Sequence, residues 1–291
     1  MKTTHKWILA SLALALPLSA HAHKSWLLPS QTVLSAKDPW ITVDAAVSND
    51  LFYFNHVPLR LDALVITAPD GSSVQAENPA TGKYRSTFDV HLTQTGTYRI
   101  ALFSNAVAAP RGQGGPGGQP GQAGGMGAAP AATPPAAAGA SAAATGATPA
   151  AGTPAGGPPR EPVQAIRRNE TFVTAGKPTD TALKPTGVGI ELVPVTHPND
   201  LFAGEKADFK FLIDGQPAAD LEIEIVPGGS RYRDRQNEIK LKTDKDGAFS
   251  VTWPEAGMYW IEAGAQDEKA TIAPAKKRRL MYTATFEVLP Q

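Results

Sequence analysis

The chain has 291 residues, with 27 lysines and arginines, 27 aspartates and glutamates, and no cysteine. The absence of cysteine excludes disulfide bonds, thiolate nucleophiles, cysteine-based zinc sites and iron–sulfur clusters. The balanced charge gives no basic footprint, so we expect no nucleic-acid partner.

The N-terminus has the pattern of a secretory signal peptide. Two lysines precede an apolar run over residues 7–18, and the small residues Ala20 and Ala22 follow it. We therefore expect export to the periplasm with cleavage after Ala22, which makes His23 the first residue of the mature protein. Residues 1–22 are then the signal peptide. The run is too short to span a bilayer and no later segment is more apolar, so we expect no transmembrane segment in the mature chain.

Alternating apolar and polar residues predict β-strands on both sides of an unusual tract. Ile41, Val43 and Ala45 alternate with polar residues, and residues 207–213, 221–226 and 249–253 show similar patterns between Gly, Asp and Pro turns. The tract between them consists almost entirely of Ala, Gly and Pro. Such a composition has no apolar face to bury, so we expect residues 106–161 to be a disordered insertion.

A short motif occurs twice and sharpens the fold prediction. Gly96, Tyr98 and Ile100 recur at the same offsets as Gly257, Tyr259 and Ile261, and each set follows an alternating strand. In β-sandwiches a tyrosine so placed bonds its hydroxyl to nearby backbone, the tyrosine corner. We therefore predict an all-β fold of two tandem immunoglobulin-like or transthyretin-like β-sandwiches. The first comprises residues 23–105 and 162–187, and the second comprises residues 188–291.

Several motifs resemble one bacterial family, the domain of unknown function 4198. They are the opening His-x-x-Trp-x-x-Pro over residues 23–29 and the segments 189–194, 197–205, 214–217, 243–247 and 254–260. The family is periplasmic and similar to periplasmic components of nickel-type metal uptake systems. The resemblance implies a binding or accessory role in transition-metal handling, with a membrane transporter or outer-membrane receptor component as partner. Lys24 departs from the family pattern, since many relatives carry Asp after the leading His, and the departure predicts a weaker metal site.

Four histidines of the expected mature chain are candidate metal ligands. The α-amine and imidazole of His23 can together chelate a Ni, Co or Cu ion, and further imidazoles can complete a tetragonal site. Strand parity places His91 on an outer face, His56 follows an aromatic cluster, and His197 lies in the second half. In the alternative interpretation these are scattered histidines without a shared site. Cleavage after Ala20 would instead expose His21-Ala22-His23, a square-planar Cu(II) or Ni(II) motif.

Motifs of common enzyme sites are absent from the sequence. It contains no Gly-x-Ser-x-Gly elbow, no His-Glu-x-x-His and no phosphate-binding loop that opens a helix. We therefore expect a non-enzymatic protein. Two alternatives to metal handling stay open: a module that docks another envelope protein, and carbohydrate or cell-wall binding through Trp26, Trp40, Tyr53 and Trp260.

Overall fold

The computed structural model describes residues 23–108 and 161–291, and its regular structure is β. The prediction of an all-β fold is confirmed. In these two ranges the helical structure is confined to two short 3-10 turns, Thr181–Leu183 and Ser230–Tyr232. Neither turn is long or apolar enough to cross a membrane. The predicted signal peptide and most of the predicted disordered insertion lie outside the described residues.

Residues 23–108 and 161–291 form eighteen strands. The first ten are β1 (Lys24–Pro29), β2 (Val33–Leu34), β3 (Trp40–Ser48), β4 (Val57–Pro58), β5 (Leu64–Thr67), β6 (Ser73–Val74), β7 (Glu77–Thr81), β8 (Ser86–His91), β9 (Gly96–Ala108) and β10 (Val163–Ala175). The other eight are β11 (Ile190–Pro194), β12 (Lys206–Ile213), β13 (Gln216–Pro217), β14 (Glu222–Pro227), β15 (Ile239–Lys242), β16 (Ala248–Thr252), β17 (Gly257–Asp267) and β18 (Lys277–Val288).

The strands form three sheets. A five-stranded sheet has the order β1-β3-β8-β7, with β4 paired to β3. A four-stranded sheet has the order β11-β12-β13, with β16 paired to β12. The third sheet has nine strands in the order β15-β14-β17-β18-β10-β9-β5-β6, with β2 paired to β10.

The nine-stranded sheet is shared by two sandwiches. The five-stranded sheet packs on its β10-β9-β5 part through residues such as Val43, Phe88 and Ile100. The four-stranded sheet packs on its β14-β17-β18 part through residues such as Phe209 and Ile261. Consecutive residues of β10 serve the two cores: Val173 belongs to the first and Phe172 to the second. Because neighbouring residues of a strand point to opposite faces, the two sandwiches lie on opposite faces of one sheet.

The continuity of this sheet depends on the strands β10 and β18, which pair in parallel from Val163–Lys277 to Thr171–Thr285. On its other side β10 pairs antiparallel with β9 along the whole length of both strands. The predicted insertion therefore starts too early. Residues 106–108 continue β9, opposite residues 163–165, because the backbone ladder extends the strand into the small-residue tract.

The predicted tyrosine corners are present in both sandwiches. The Tyr98 hydroxyl donates to the carbonyl of Gln94 at 3.1 Å and accepts from its N–H at 2.7 Å. Tyr259 makes the same two bonds with Glu255, at 2.8 and 3.3 Å. Both tyrosines are buried. The repeated motif therefore forms the same corner at the start of β9 and of β17, in which a tyrosine bonds the backbone of the residue four positions earlier.

Candidate functional site

His23 and His56 lie together beside the end of β3. Lys24, at the start of β1, is opposite Ser48, while Val57, at the start of β4, is opposite Val47. The residue preceding each of these strands is a histidine, and the two imidazole rings stack with centroids 3.8 Å apart and planes 12° apart. His23 is exposed and His56 is partly buried.

The surroundings of His56 favour its neutral form. Burial lowers the pKa of His56, and the charge of a protonated His23 lowers it further. Neutral imidazoles are the form that binds metal ions. In the stacked arrangement the nitrogen lone pairs lie in two parallel planes, so they do not converge on one point. An exposed ring such as that of His23 can turn to direct its nitrogen to an ion held by His56.

His91 is the last residue of β8 and lies beside the other end of β3. It faces outward, as its strand parity predicts, and is directly opposite Trp40 at the start of β3. Its ring stacks on Trp40 at 4.3 Å, and its Nε2 lies 2.5 Å from an Asp38 carboxylate oxygen. Because β3 is nine residues long, its two ends are roughly 26 Å apart. His91 and His23 therefore cannot bind one ion in this fold.

His197 is part of the contact between the two sandwiches. Its Nδ1 accepts the backbone N–H of Asn199 at 3.1 Å, so the neutral ring carries its proton on Nε2, 2.9 Å from Thr97 Oγ1. Both ring nitrogens are thus occupied by hydrogen bonds. Burial lowers the pKa of His197. The residue holds the loop before β12 against the start of β9.

The four predicted ligands therefore do not form one site. The structure brings His23 and His56 together and places His91 and His197 elsewhere. In residues 23–108 and 161–291, no group of three or more His, Asp or Glu side chains lies close enough together to hold a metal ion. A site at the pair needs a further donor, and the α-amine of a mature His23 is the group that the sequence predicts.

Four contacts hold β1 against its neighbours. Lys24 Nζ lies 3.1 Å from Glu224 Oε1 and 4.5 Å from the centre of the Trp260 ring. The indole N–H of Trp260 donates to the Ser25 carbonyl at 2.9 Å. The indole N–H of Trp26 donates to Ser48 Oγ at 2.8 Å. The strand that follows His23 is therefore fixed to β3 and to the second sandwich.

The loop between β3 and β4 is held in a similar way. Phe52 has a positive φ of 63° and meets the Trp26 ring edge-to-face at 5.5 Å. Phe54 also packs on Trp26 at 5.5 Å, with the Arg85 guanidinium 4.4 Å above its ring. A small core forms where the sandwiches meet. Its buried residues are Trp26, Ala46, Leu51, Val226 and Trp260.

Comparison with known proteins identifies the family. The family model described as Domain of unknown function (DUF4198) matches residues 20–267. The chain belongs to this family. No curated protein matches the chain. Among solved structures, it is similar to the "D0-D1 domain of Intimin", with 12% identity, 89% of this chain and 96% of that chain covered, and a TM-score of 0.20. A TM-score this low does not establish a shared fold.

In this DUF4198 chain, Lys24 and the aromatic residues proposed for carbohydrate binding have different surroundings. Lys24 directs its ammonium to Glu224 of the second sandwich, and this contact links the two sandwiches. The aromatic set proposed for carbohydrate is divided, because Trp26 and Trp260 are buried whereas Trp40 is 43% exposed. No sequence signal indicated the core between the sandwiches, since its five residues come from four separate strands and a loop.

Proposed function

We propose that this chain captures a transition-metal ion in the periplasm through His23 and His56. The observation that carries the proposal is the contact between these two imidazoles, which come from different strands and meet at 3.8 Å. One of the two histidines, His23, is also the residue that the predicted cleavage makes N-terminal. This coincidence is not expected of a chance pair of surface histidines. The sequence resemblance implies an accessory role in metal uptake, in which the ion passes to a membrane transporter or outer-membrane receptor component.

Three nitrogen donors are available at this place after cleavage behind Ala22. They are the α-amine of His23, its imidazole and the imidazole of His56. Amine and imidazole ligands suit Ni(II), Co(II) and Cu(II), and by the general order of stability Cu(II) binds most tightly. All three donors must be unprotonated, so affinity falls as the pH decreases. The lowered pKa of His56 keeps that ring neutral down to a lower pH.

Calorimetric titration of protein that begins at His23 tests the proposal. We expect one equivalent of Cu(II) to bind, with weaker binding of Ni(II) and Co(II). His23→Ala and His56→Ala should each reduce the affinity at least tenfold, because each removes one of three donors. His91→Ala is the matched control, since it removes a histidine from the same sheet at the far end of β3, and it should leave binding unchanged.

A second preparation separates the amine from the rings. Protein that begins at Ala22 keeps both imidazoles but moves the free amine one residue away from His23. We expect weaker binding, because the chelate that joins amine and imidazole of one residue is lost. Binding no tighter than millimolar in protein that begins at His23, or equal affinity in His23→Ala, refutes the metal function.

A further inference from the structure

The strand and the loop that carry the two histidines both rest on the second sandwich. From these contacts we infer that the second sandwich positions the histidine pair, with Trp260 and Gly228 as positioning residues. This inference rests on the proposed metal function, because the pair is positioned for binding an ion. The contacts on which it depends are independent of any metal.

Trp260 fixes the strand that follows His23. Its indole N–H donates to the carbonyl of Ser25, two residues after His23, and its ring supports the Lys24 ammonium. Trp260 itself is only 1% exposed and comes from β17, a strand whose residues Tyr259 and Ile261 belong to the core of the second sandwich. A buried side chain with few alternative rotamers is a rigid support. The second sandwich therefore fixes the position of the start of β1, next to His23.

Gly228 fixes the loop that leads to His56. A Cβ at this position would lie 3.1 Å from the Phe52 ring and 3.0 Å from the carbonyl oxygen of Met258. The loop thus approaches the second sandwich so closely that a side chain at residue 228 does not fit without movement. Phe52 is held there with a positive φ, a conformation that a bulky residue adopts only where its surroundings enforce it.

Trp26 joins the two supports. It lies on β1, packs against both Phe52 and Phe54 of the loop, and shares the core between the sandwiches with Trp260. A shift of either support would change the separation of the two imidazoles. Ligands that are already placed lose less freedom when they bind, and binding weakens when such placement is lost.

Trp260→Phe is the direct test, and Trp253→Phe is its matched control. The substitution at Trp260 keeps a buried ring but removes the N–H that Ser25 accepts. Trp253 is equally buried in the same sandwich, and its indole nitrogen has no hydrogen-bond partner among the described residues. Two readouts are taken at a temperature where both variants are folded: the nuclear Overhauser effect between the His23 and His56 rings without metal, and the Cu(II) affinity.

We expect the ring-to-ring effect to weaken in Trp260→Phe and to stay at the wild-type level in Trp253→Phe. The Cu(II) affinity should fall roughly two- to tenfold in Trp260→Phe, the effect of losing one hydrogen bond. An unchanged ring contact in Trp260→Phe, or an equal loss in both variants, overturns the inference. If wild-type protein binds no Cu(II), the proposed function fails. The nuclear Overhauser effect between the two rings, measured without metal, still tests whether Trp260 positions the pair.

A second pair of variants applies if Trp260→Phe does not fold. Gly228→Ala pushes against Phe52, while Gly82→Ala is the control, because the nearest atom to its new Cβ is the Arg85 carbonyl oxygen at 3.5 Å. Loss of the ring-to-ring effect in Gly228→Ala alone supports the inference. Retention of the effect in Gly228→Ala overturns it.

Discussion

Glu224 and Glu262 lie directly opposite each other on the neighbouring strands β14 and β17. Burial raises the pKa of Glu262; Lys24 opposes this shift, and Glu224 adds to it. A carboxyl whose pKa is higher in the folded than in the unfolded protein binds its proton more tightly when folded. Its contribution to stability is therefore present at low pH and is lost as the pH rises through the folded-state pKa.

Glu262→Gln should remove the loss of stability that accompanies deprotonation of Glu262. At pH 7 we expect the variant to be more stable than wild type by about 0.5 kcal/mol, because its neutral amide is less costly to bury than a carboxylate and does not repel Glu224 across the sheet. At pH 4 the two proteins should be equal. Urea unfolding at both pH values measures the difference. Glu222→Gln is the control, since Glu222 is exposed and opposite Lys242, and it should bring no gain at pH 7.

His197 gives the opposite pH dependence. Burial lowers its pKa, against the raising effects of Asp180, of the Thr179 backbone and of Asp200. A histidine whose pKa is lower in the folded protein stabilises the fold while it is neutral. This stability is complete above the unfolded-state value near 6.5 and is lost as the pH falls below it towards the folded-state pKa. A proton on Nδ1 would also face the Asn199 N–H.

We therefore predict that wild-type protein loses more stability between pH 7.5 and pH 5.5 than His197→Gln does. The excess should lower the Tm by roughly 1–3 °C, which for a chain of this size corresponds to a fraction of a kcal/mol. Thermal unfolding of both proteins at the two pH values checks this. Parallel curves for wild type and His197→Gln would contradict the assigned role.

Local patterns in the sequence were sufficient to predict the buried positions of the strands and the two tyrosine corners. The alternation of Ile41, Val43 and Ala45 gives buried positions in β3, and the repeated Gly-x-Tyr-x-Ile gives the same corner twice. These features follow from short-range rules: strand parity and the reach of a tyrosine hydroxyl to the backbone four residues earlier. They need no knowledge of which strands are neighbours in a sheet.

Such short-range rules could not predict the sheet shared by the two sandwiches or the contact between His23 and His56. The parallel pairing of β10 with β18 joins distant parts of the chain, and nothing near Val163 indicates that Lys277 is its neighbour. Strand parity correctly turned His91 outward. It could not show that His56 meets His23, because that contact depends on the path of the loop between β3 and β4. Long-range pairing of this kind decides the candidate site.

The two tyrosine corners predict matched losses of stability. Tyr98→Phe and Tyr259→Phe each remove a hydroxyl that bonds both the N–H and the carbonyl of one residue, and each should cost about 1 kcal/mol in the free energy of unfolding. Denaturant unfolding followed by tryptophan fluorescence measures this loss. Tyr84→Phe serves for comparison, since Tyr84 is 42% exposed and should show almost no effect. A loss in one corner variant only would show that the two corners are not equivalent.

A buried ion network at the border of the two sandwiches gives the largest predicted effect. Arg168 lies 3.3 Å from a Glu170 oxygen and 3.2 Å from a Glu191 oxygen, and all three side chains are at most 5% exposed. Arg168→Met would leave two buried carboxylates without this cation. Glu191 keeps hydrogen bonds from Thr186 and Gly187, and Glu170 keeps one from Tyr282.

Because these bonds are retained, we expect a loss for Arg168→Met near the lower end of the range for a broken buried pair, about 3 kcal/mol in urea unfolding at pH 7. Lys206→Met removes a cation from an exposed pair with Asp208 and should change stability by less than about 0.5 kcal/mol. A loss for Arg168→Met as small as that of Lys206→Met would mean that Arg168 acts through packing on Phe103 rather than through its charge.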